Sequence, residues 1–319
     1  MSSICLPPVI PKPNQDCLDL HRAFKGLGYD ADAVIRILAH RDASQRSQIR
    51  TVYKNMFEED ICKRLKRELH HHFEKAMLMW MRDACERDAM ILRRALNTSS
   101  GLRRNRILVE VLSMRSRDDI NSIVKAYQFL YGRPFQSDIE AALSGSCQKL
   151  FVLYLNGIQD GAADHDPYFA FEDARNFHNA LFTNIDEMTV IHILTSRNRR
   201  QLLKVFDAYR TLYELDIFEA IKKKDDRCKT EFSTTVMMLT TCVSSPEEYF
   251  CEVLYKSMKG LGTDDDTLIR VIVTHAEVDL ANIKAAFSRR YKKSLAAMVR
   301  SDTTIHYRKF LLELIGAPE

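Results

Sequence analysis

A short pattern recurs four times along this chain, and that recurrence restricts it to a repeat architecture. Ile37-Leu-Ala-His-Arg41 is echoed by Val111-Leu-Ser-Met-Arg115, Ile193-Leu-Thr-Ser-Arg197 and Val271-Ile-Val-Thr-His275, at spacings of 74, 82 and 78 residues. The last residue of each pattern serves as an anchor. Twelve residues after the anchors stand Tyr53, Tyr127, Tyr209 and Phe287, and sixteen after stand Phe57, Tyr131, Tyr213 and Tyr291. Twenty after come Ile61, Phe135, Ile217 and Leu295, and twenty-four after come Leu65, Ile139, Ile221 and Val299. Four apolar columns shared by four copies define a repeat of about 75 residues.

Each copy reads as helical. In the fourth, Leu268, Ile269, Ile272 and Val273 fall at helical spacing, then Leu280, Ile283, Ala286 and Phe287, then Phe310, Leu311 and Leu314. Gly, Asp, Ser or Pro fill the breaks, and sustained β alternation is absent. The expected fold class is all-α, with about five helices per copy. The copies run over 15–82, 86–157, 168–242 and 247–317, after an extended proline-bearing arm over 1–14. The least regular connector, Gly157 to Pro167, is expected to carry the chain between halves.

With 46% hydrophobic and 28% charged residues, the chain is ordinary for a soluble globular protein. A net charge of +4 over 319 residues is too weak to imply a nucleic-acid partner. The eight cysteines form no C-x-x-C pair and no zinc spacing, so they read as reduced thiols of a cytoplasmic protein. No apolar run reaches membrane-spanning length, and residues 1–14 lack the apolar core of a signal peptide.

The chemically informative stretch is Met258-Lys259-Gly260-Leu261-Gly262-Thr263-Asp264, matched near the start by Phe24-Lys25-Gly26-Leu27-Gly28. Paired glycines permit positive φ, so successive carbonyls can turn toward one point. Calcium takes six to eight oxygens, and carbonyls with a bidentate carboxylate suit it. The carbonyls of Met258, Gly260 and Gly262 with the Asp302 carboxylate form one candidate set; Phe24, Gly26, Gly28 and Glu68 form the other. Each acid lies 42 residues after the first glycine of its loop. Locally, the stretch also reads as a helix C-cap followed by Thr263 or Asp264 capping the next helix. The columns favour the metal reading. Where copies 1 and 4 carry two glycines and an acid, copy 2 has Ser100, Leu102 and Ala142, and copy 3 has Phe182, Asn184 and Lys224. Calcium is therefore expected only in copies 1 and 4.

This constellation resembles the annexins, with four repeats of about 70 residues, a K-G-x-G-T loop and an acid about 40 positions on. Ile37-Leu-Ala-His-Arg41, Phe73-Glu-Lys-Ala with Trp80, Glu86-Arg-Asp-Ala89, Pro246-Glu-Glu-Tyr-Phe250 and Ala276-Glu-Val-Asp-Leu280 look like the plant branch. The resemblance implies a curved disc of helices that binds acidic phospholipid membranes in the presence of calcium, peripherally and with oligomers on the membrane an option. Leu27 and Leu261 would enter the interfacial region, worth at most about 1.5–3 kcal/mol each. Lys25 and Lys259 would add roughly 1 kcal/mol each against an anionic surface, or are simply solvated charges. Tyr29 replaces the family's Thr in the first loop, with Asp30 available as a cap. By resemblance, Glu110 would meet Arg270 and Asp88 would meet Arg115 in a polar centre, either as a structural clasp or as part of an ion path.

Other features weigh less. His40 lies where plant annexins have been linked to a peroxidase-like activity, but a lone histidine near a helix end is more often structural, and no enzyme is expected. Consecutive His70, His71 and His72 point in different directions on a helix. Ile35-Arg36-Ile37 matches a sequence proposed for F-actin binding, and also fits a core–polar–core helix face. A calcium-independent scaffold or actin partner is the alternative function. No P-loop or EF-hand pattern occurs. Of a cysteine pair expected by resemblance in copies 2 and 3, Cys242 is present and Ser113 stands at the other position. Basic clusters at 103–106, 222–224 and 289–293 read as solvated helix faces, with salt-sensitive binding of anionic lipid or RNA as the alternative.

Overall fold

The computed structural model describes residues 1–26, 28–157, 167–183, 186–225 and 230–317, which hold twenty α-helices and no strand. Each copy contributes five. Copy 1 holds α1 (Pro13–Ala23), α2 (Ala31–Leu38), α3 (Ala43–Phe57), α4 (Ile61–Glu68) and α5 (His71–Met81). Copy 2 holds α6 (Ala84–Leu96), α7 (Gly101–Leu112), α8 (Arg117–Tyr131), α9 (Phe135–Ala142) and α10 (Gly145–Asn156). Copy 3 holds α11 (Pro167–Phe182), α12 (Glu187–Ser196), α13 (Arg199–Tyr213), α14 (Ile217–Asp225) and α15 (Glu231–Ser244). Copy 4 holds α16 (Pro246–Met258), α17 (Asp265–His275), α18 (Leu280–Tyr291), α19 (Leu295–Asp302) and α20 (Ile305–Ile315). None of these is long and apolar enough to cross a membrane.

The apolar columns are the core of every copy. Tyr53, Tyr127, Tyr209 and Phe287 are buried, as are all residues of the columns at twenty and twenty-four. The column at sixteen forms a ring contact with the first helix of its copy. His21 stacks on Phe57 at 4.0 Å, His178 on Tyr213 at 3.9 Å and Tyr255 on Tyr291 at 3.8 Å. In copy 2, Arg93 lies over Tyr131 instead, at 5.4 Å.

The anchors tie the first two helices of a copy together. Arg41 makes two 2.7 Å hydrogen bonds to Asp16 of α1. Arg197 does the same to Asp173 of α11, at 2.7 and 3.1 Å, and Arg115 Nε donates to Asp88 of α6 at 2.7 Å. In copy 4 the anchor is His275, which packs on the Phe250 ring at 4.0 Å and bonds Asp279 at 2.6 Å. Each anchor stands at or just after the end of the second helix, and its partner on the first helix (Asp16, Asp88, Asp173 or Phe250) lies in that helix's first half. The two helices therefore run antiparallel, with their connecting loop at the opposite end.

The residue after the anchor starts the third helix in three copies. Asp42, Ser116 and Asn198 each form a capping box. The same helix ends on a left-handed residue in all four: Glu58, Gly132, Glu214 and Lys292, with φ of 52–68°. Only copy 2 places glycine there.

The copies pair into two compact units. The first joins copies 1 and 4 (residues 1–84 and 247–319). There α5 packs on α17 and α20, and α2 on α20. Arg46, 3.5 Å over the Trp80 ring, reaches Glu277 at 2.8 Å. The arm docks in this unit too. Ser3 N donates to the Ala276 carbonyl at 2.8 Å and Ser3 Oγ to that of Leu314 at 2.5 Å. A Cβ on Gly316 would lie 2.3 Å from the Ser3 carbonyl oxygen. The second unit joins copies 2 and 3 (residues 85–246), through α7 on α15 and α10 on α12. The connector after Gly157 thus joins two copies inside one unit and does not carry the chain between halves, because α10 and α12 on either side of it pack together. Its residues 158–166 lie outside the described residues.

Removing one partner of a buried ion pair leaves the other charge uncompensated. Asp16→Ala is expected to cost about 3–5 kcal/mol, read from urea unfolding. Lys292→Gly should raise stability by up to about 1 kcal/mol in the same assay, since glycine holds left-handed φ without the Cβ clash.

Candidate metal site

Helix α1 ends at Ala23, and the chain reverses through Gly26 (φ +115°) and Gly28 (φ +91°). It closes where Asp30 N donates to the Ala23 carbonyl at 2.8 Å. Copy 4 repeats this turn with Gly260 (φ +117°) and Gly262 (φ +86°), closed by Asp264 N on the Ser257 carbonyl at 2.7 Å. A Cβ on any of these four glycines would meet nothing within 4 Å. The backbone dihedral, not crowding, is what calls for glycine there. Asp30 and Asp264 cap the next helices, accepting from Ala33 N at 2.9 Å and Thr267 N at 3.2 Å.

Both proposed acids are the final residue of the fourth helix in their copy: Glu68 ends α4 and Asp302 ends α19. The carbonyl end of a helix is its negative end, so each acid stands where a cation is favoured. Thr263 Oγ1 donates to the Asp302 carbonyl at 3.3 Å and ties loop to helix end. The Asp302 carboxylate accepts from Ser301 Oγ at 2.8 Å. In copy 1 Tyr29 replaces that threonine. Burial, and then the Glu68 carboxylate, push its phenol up from the ordinary tyrosine range.

Among the described residues no three His, Cys, Asp or Glu side chains gather as a metal cluster. A cation at either loop would therefore rely on carbonyls with one carboxylate. That all-oxygen set fits a hard ion such as calcium and not zinc. Leu261 is fully exposed at its loop tip (109%), and Lys25 and Lys259 are exposed beside the glycines. Leu27 lies outside the described residues. An open cleft of about 570 Å³ adjoins the first loop, lined by Arg22, Lys25, Gly28, Tyr29 and Arg36 among others.

The equivalent loops differ. In copy 2, Ser100 caps α7, which starts four residues earlier relative to its anchor than α2 or α17. Leu102 is thus helical and its carbonyl is committed to the helix. In copy 3, the closing bond runs from Asp186 N to the Ala180 carbonyl, a turn one residue shorter. Asn184 and the Lys224 side chain lie outside the described residues.

The remaining candidates sit as follows. Asp88 and Arg115 meet at 2.7 Å, one of three equivalent anchor clasps. Glu110 belongs to the second unit, with Arg106 at 3.7 Å, and Arg270 to the first. The His40 ring lies between the Cys5 carbonyl (2.6 Å from Nδ1) and Glu313 (3.3 Å from Nε2), bridging the arm and α20. Ile35 is fully buried, Arg36 exposed and Ile37 half-buried, so the Ile35-Arg36-Ile37 triplet is mainly a packing face. Ser113 Oγ donates to Cys242 Sγ at 3.4 Å, so the residue facing that thiol is a hydroxyl.

One residue escaped the sequence reading. Arg64 Nη2 donates to the Phe24 carbonyl at 2.7 Å, and its Nε lies 3.0 Å from Glu68. The column 23 residues after the anchors reads Arg64, Asp138, Ala220 and Met298. Its contrast between copies 1 and 4 was visible, but its proximity to the loop was not.

The family model described as Annexin matches residues 15–80, 87–153, 172–238 and 249–314. Annexin D5 of Arabidopsis thaliana is 39% identical over 318 residues, covering 99% of both chains. Annexin A4 of Bos taurus is 38% identical over 310 residues, covering 96% of this chain and 95% of the relative. Among solved structures, annexin III superposes with a TM-score of 0.91 at 28% identity, covering 100% of this chain and 98% of that one. Chicken annexin V does so with 0.87 at 33% identity, covering 99% and 98%. Fourfold helical repeats, matched across essentially the whole length, make this chain a member of the annexin family.

Proposed function

We propose that this protein binds anionic phospholipid membranes in a calcium-dependent manner through the loops of copies 1 and 4, as a binding protein and not an enzyme. The observation that carries the reading is the shared backbone of the two Gly-Leu-Gly turns, each opposite an acid at a helix C-terminus. The carbonyls of Met258, Gly260 and Gly262 with Asp302 are the ligands of one site; those of Phe24, Gly26 and Gly28 with Glu68 are the ligands of the other. Calcium's remaining positions go to water or lipid phosphate, so metal and membrane strengthen each other's binding. Leu261 supplies an apolar contact and Lys259 a cationic one. Beside copy 1, the open cleft is lined by Lys25 and Arg36 along with Asp30 and an Arg22–Asp19 pair, so Lys25 and Arg36 are the cations it offers a phosphate headgroup. The protein is expected to work from the cytoplasm, on a membrane surface only when calcium is present.

Co-sedimentation with phosphatidylserine vesicles tests this. Pelleting in calcium, reversed by chelator and largely lost in Asp302→Ala, is the expected result. Pelleting that ignores chelator would assign the binding to basic surface, and none at millimolar calcium would leave the loops as helix connections. Leu261→Ala should weaken vesicle binding by about tenfold, the scale of burying one leucine, with calcium stoichiometry in solution unchanged. Gly262→Ala should lower calcium affinity in titration calorimetry, because alanine disfavours a φ of +86° by about 1–2 kcal/mol.

A further inference from the structure

Glu68 and the Phe24 carbonyl are already bound to a cation, and that cation belongs to the chain. The Arg64 guanidinium donates to the Phe24 carbonyl at 2.7 Å through Nη2. Its Nε lies 3.0 Å from Glu68 Oε1, one helical turn along α4, and Nη1 lies 3.8 Å from Glu59. The side chain is only 21% exposed, so these contacts are sheltered from solvent. Arg67 also faces Glu68, at 3.8 Å, but is 58% exposed. The positive charge extends to the neighbouring helix: burial, then Lys25 and Arg64, hold the His21 imidazole below its ordinary range. In copy 4 the residue equivalent to Arg64 is Met298, which has no charge to place at such a site.

We infer that Arg64 is an internal competitor for calcium, occupying the copy-1 ligands so that metal enters there only by displacing it. The inference rests on the proposed metal reading of the two loops and makes them unequal. Copy 4 takes calcium directly. Copy 1 must first break a charge-assisted hydrogen bond and an ion pair, and its calcium threshold is correspondingly higher. The chain thereby carries two calcium thresholds on one pair of near-identical loops.

Calcium titration calorimetry of the full chain, without lipid, tests this. Wild type is expected to show a tighter site lost in Asp302→Ala and a weaker one lost in Glu68→Ala. Arg64→Met should tighten the weaker site by about tenfold or more, the scale of one charge-assisted hydrogen bond, and leave the tighter one unchanged. Arg67→Met, which removes equal charge without touching Phe24, should change the weaker site by less than about threefold. A second readout is thermal melting: in chelator Arg64→Met should melt below wild type, and calcium should restore it more than it raises wild type. If Arg64→Met and Arg67→Met act alike, the effect is general charge and the inference fails. If wild type already binds equally at both sites and Arg64→Met changes nothing, the inference alone fails. If no variant binds calcium, the metal reading fails with it.

Discussion

The placement of the turn between the first two helices of each copy depends on how the anchor holds the first helix. Arg41 holds Asp16, Arg115 holds Asp88 and Arg197 holds Asp173. Each pair pins one end of an antiparallel helix pair, which sends the connecting turn to the other end. The Arg41–Asp16 pair is almost entirely buried, with side chains 5% exposed. Burying such a pair contributes little net stability over an apolar one, but a wrong pairing would strand a charge in the core. Its effect is on register: only one arrangement of the two helices satisfies both residues. Copy 4 keeps the register by other means, with His275 packed on Phe250 and bonded to Asp279.

The repeats diverge where the backbone allows it. The core columns tolerate exchange among Tyr, Phe, Ile, Leu and Val because each supplies apolar volume on the same helix face. The loops do not tolerate exchange, since four positive φ values between +86° and +117° demand glycine. Once copy 2 placed Ser100 and Leu102 in those columns, α7 could extend backward over the turn and absorb its carbonyls. The stretch that forms an open turn in copies 1 and 4 is a helix start in copy 2. In copies 1 and 4 the same cap chemistry appears later, at Asp30 and Asp264, and leaves the turn intact. The capping and metal readings of the stretch are therefore compatible, because different residues serve each.

The motif Ala276-Glu-Val-Asp-Leu280 illustrates how packing gives meaning to residues that look unremarkable in series. The Ala276 carbonyl receives Ser3, Glu277 receives Arg46 and the backbone of Ala43, and Asp279 receives His275. A single turn after α17 thus binds the arm, the first copy and its own anchor. His40 is a parallel case, with both ring nitrogens engaged between the arm and α20. Its two contacts make it a tether between them.

By itself the sequence determined the class of fold, the count of helices per copy, the core columns and the two loops where glycine and acid coincide. These are local or periodic properties: helical spacing, left-handed φ and a repeated interval survive in one dimension. Tertiary structure alone decided which copies pair, and it overturned the expectation that the connector after Gly157 carries the chain between halves. It also decided that Arg64, one turn before Glu68 on the same helix, reaches back across 40 residues to the Phe24 carbonyl. That contact depends on how α4 lies against the end of α1. Such an approach is set by packing between helices, and no interval along the chain encodes it.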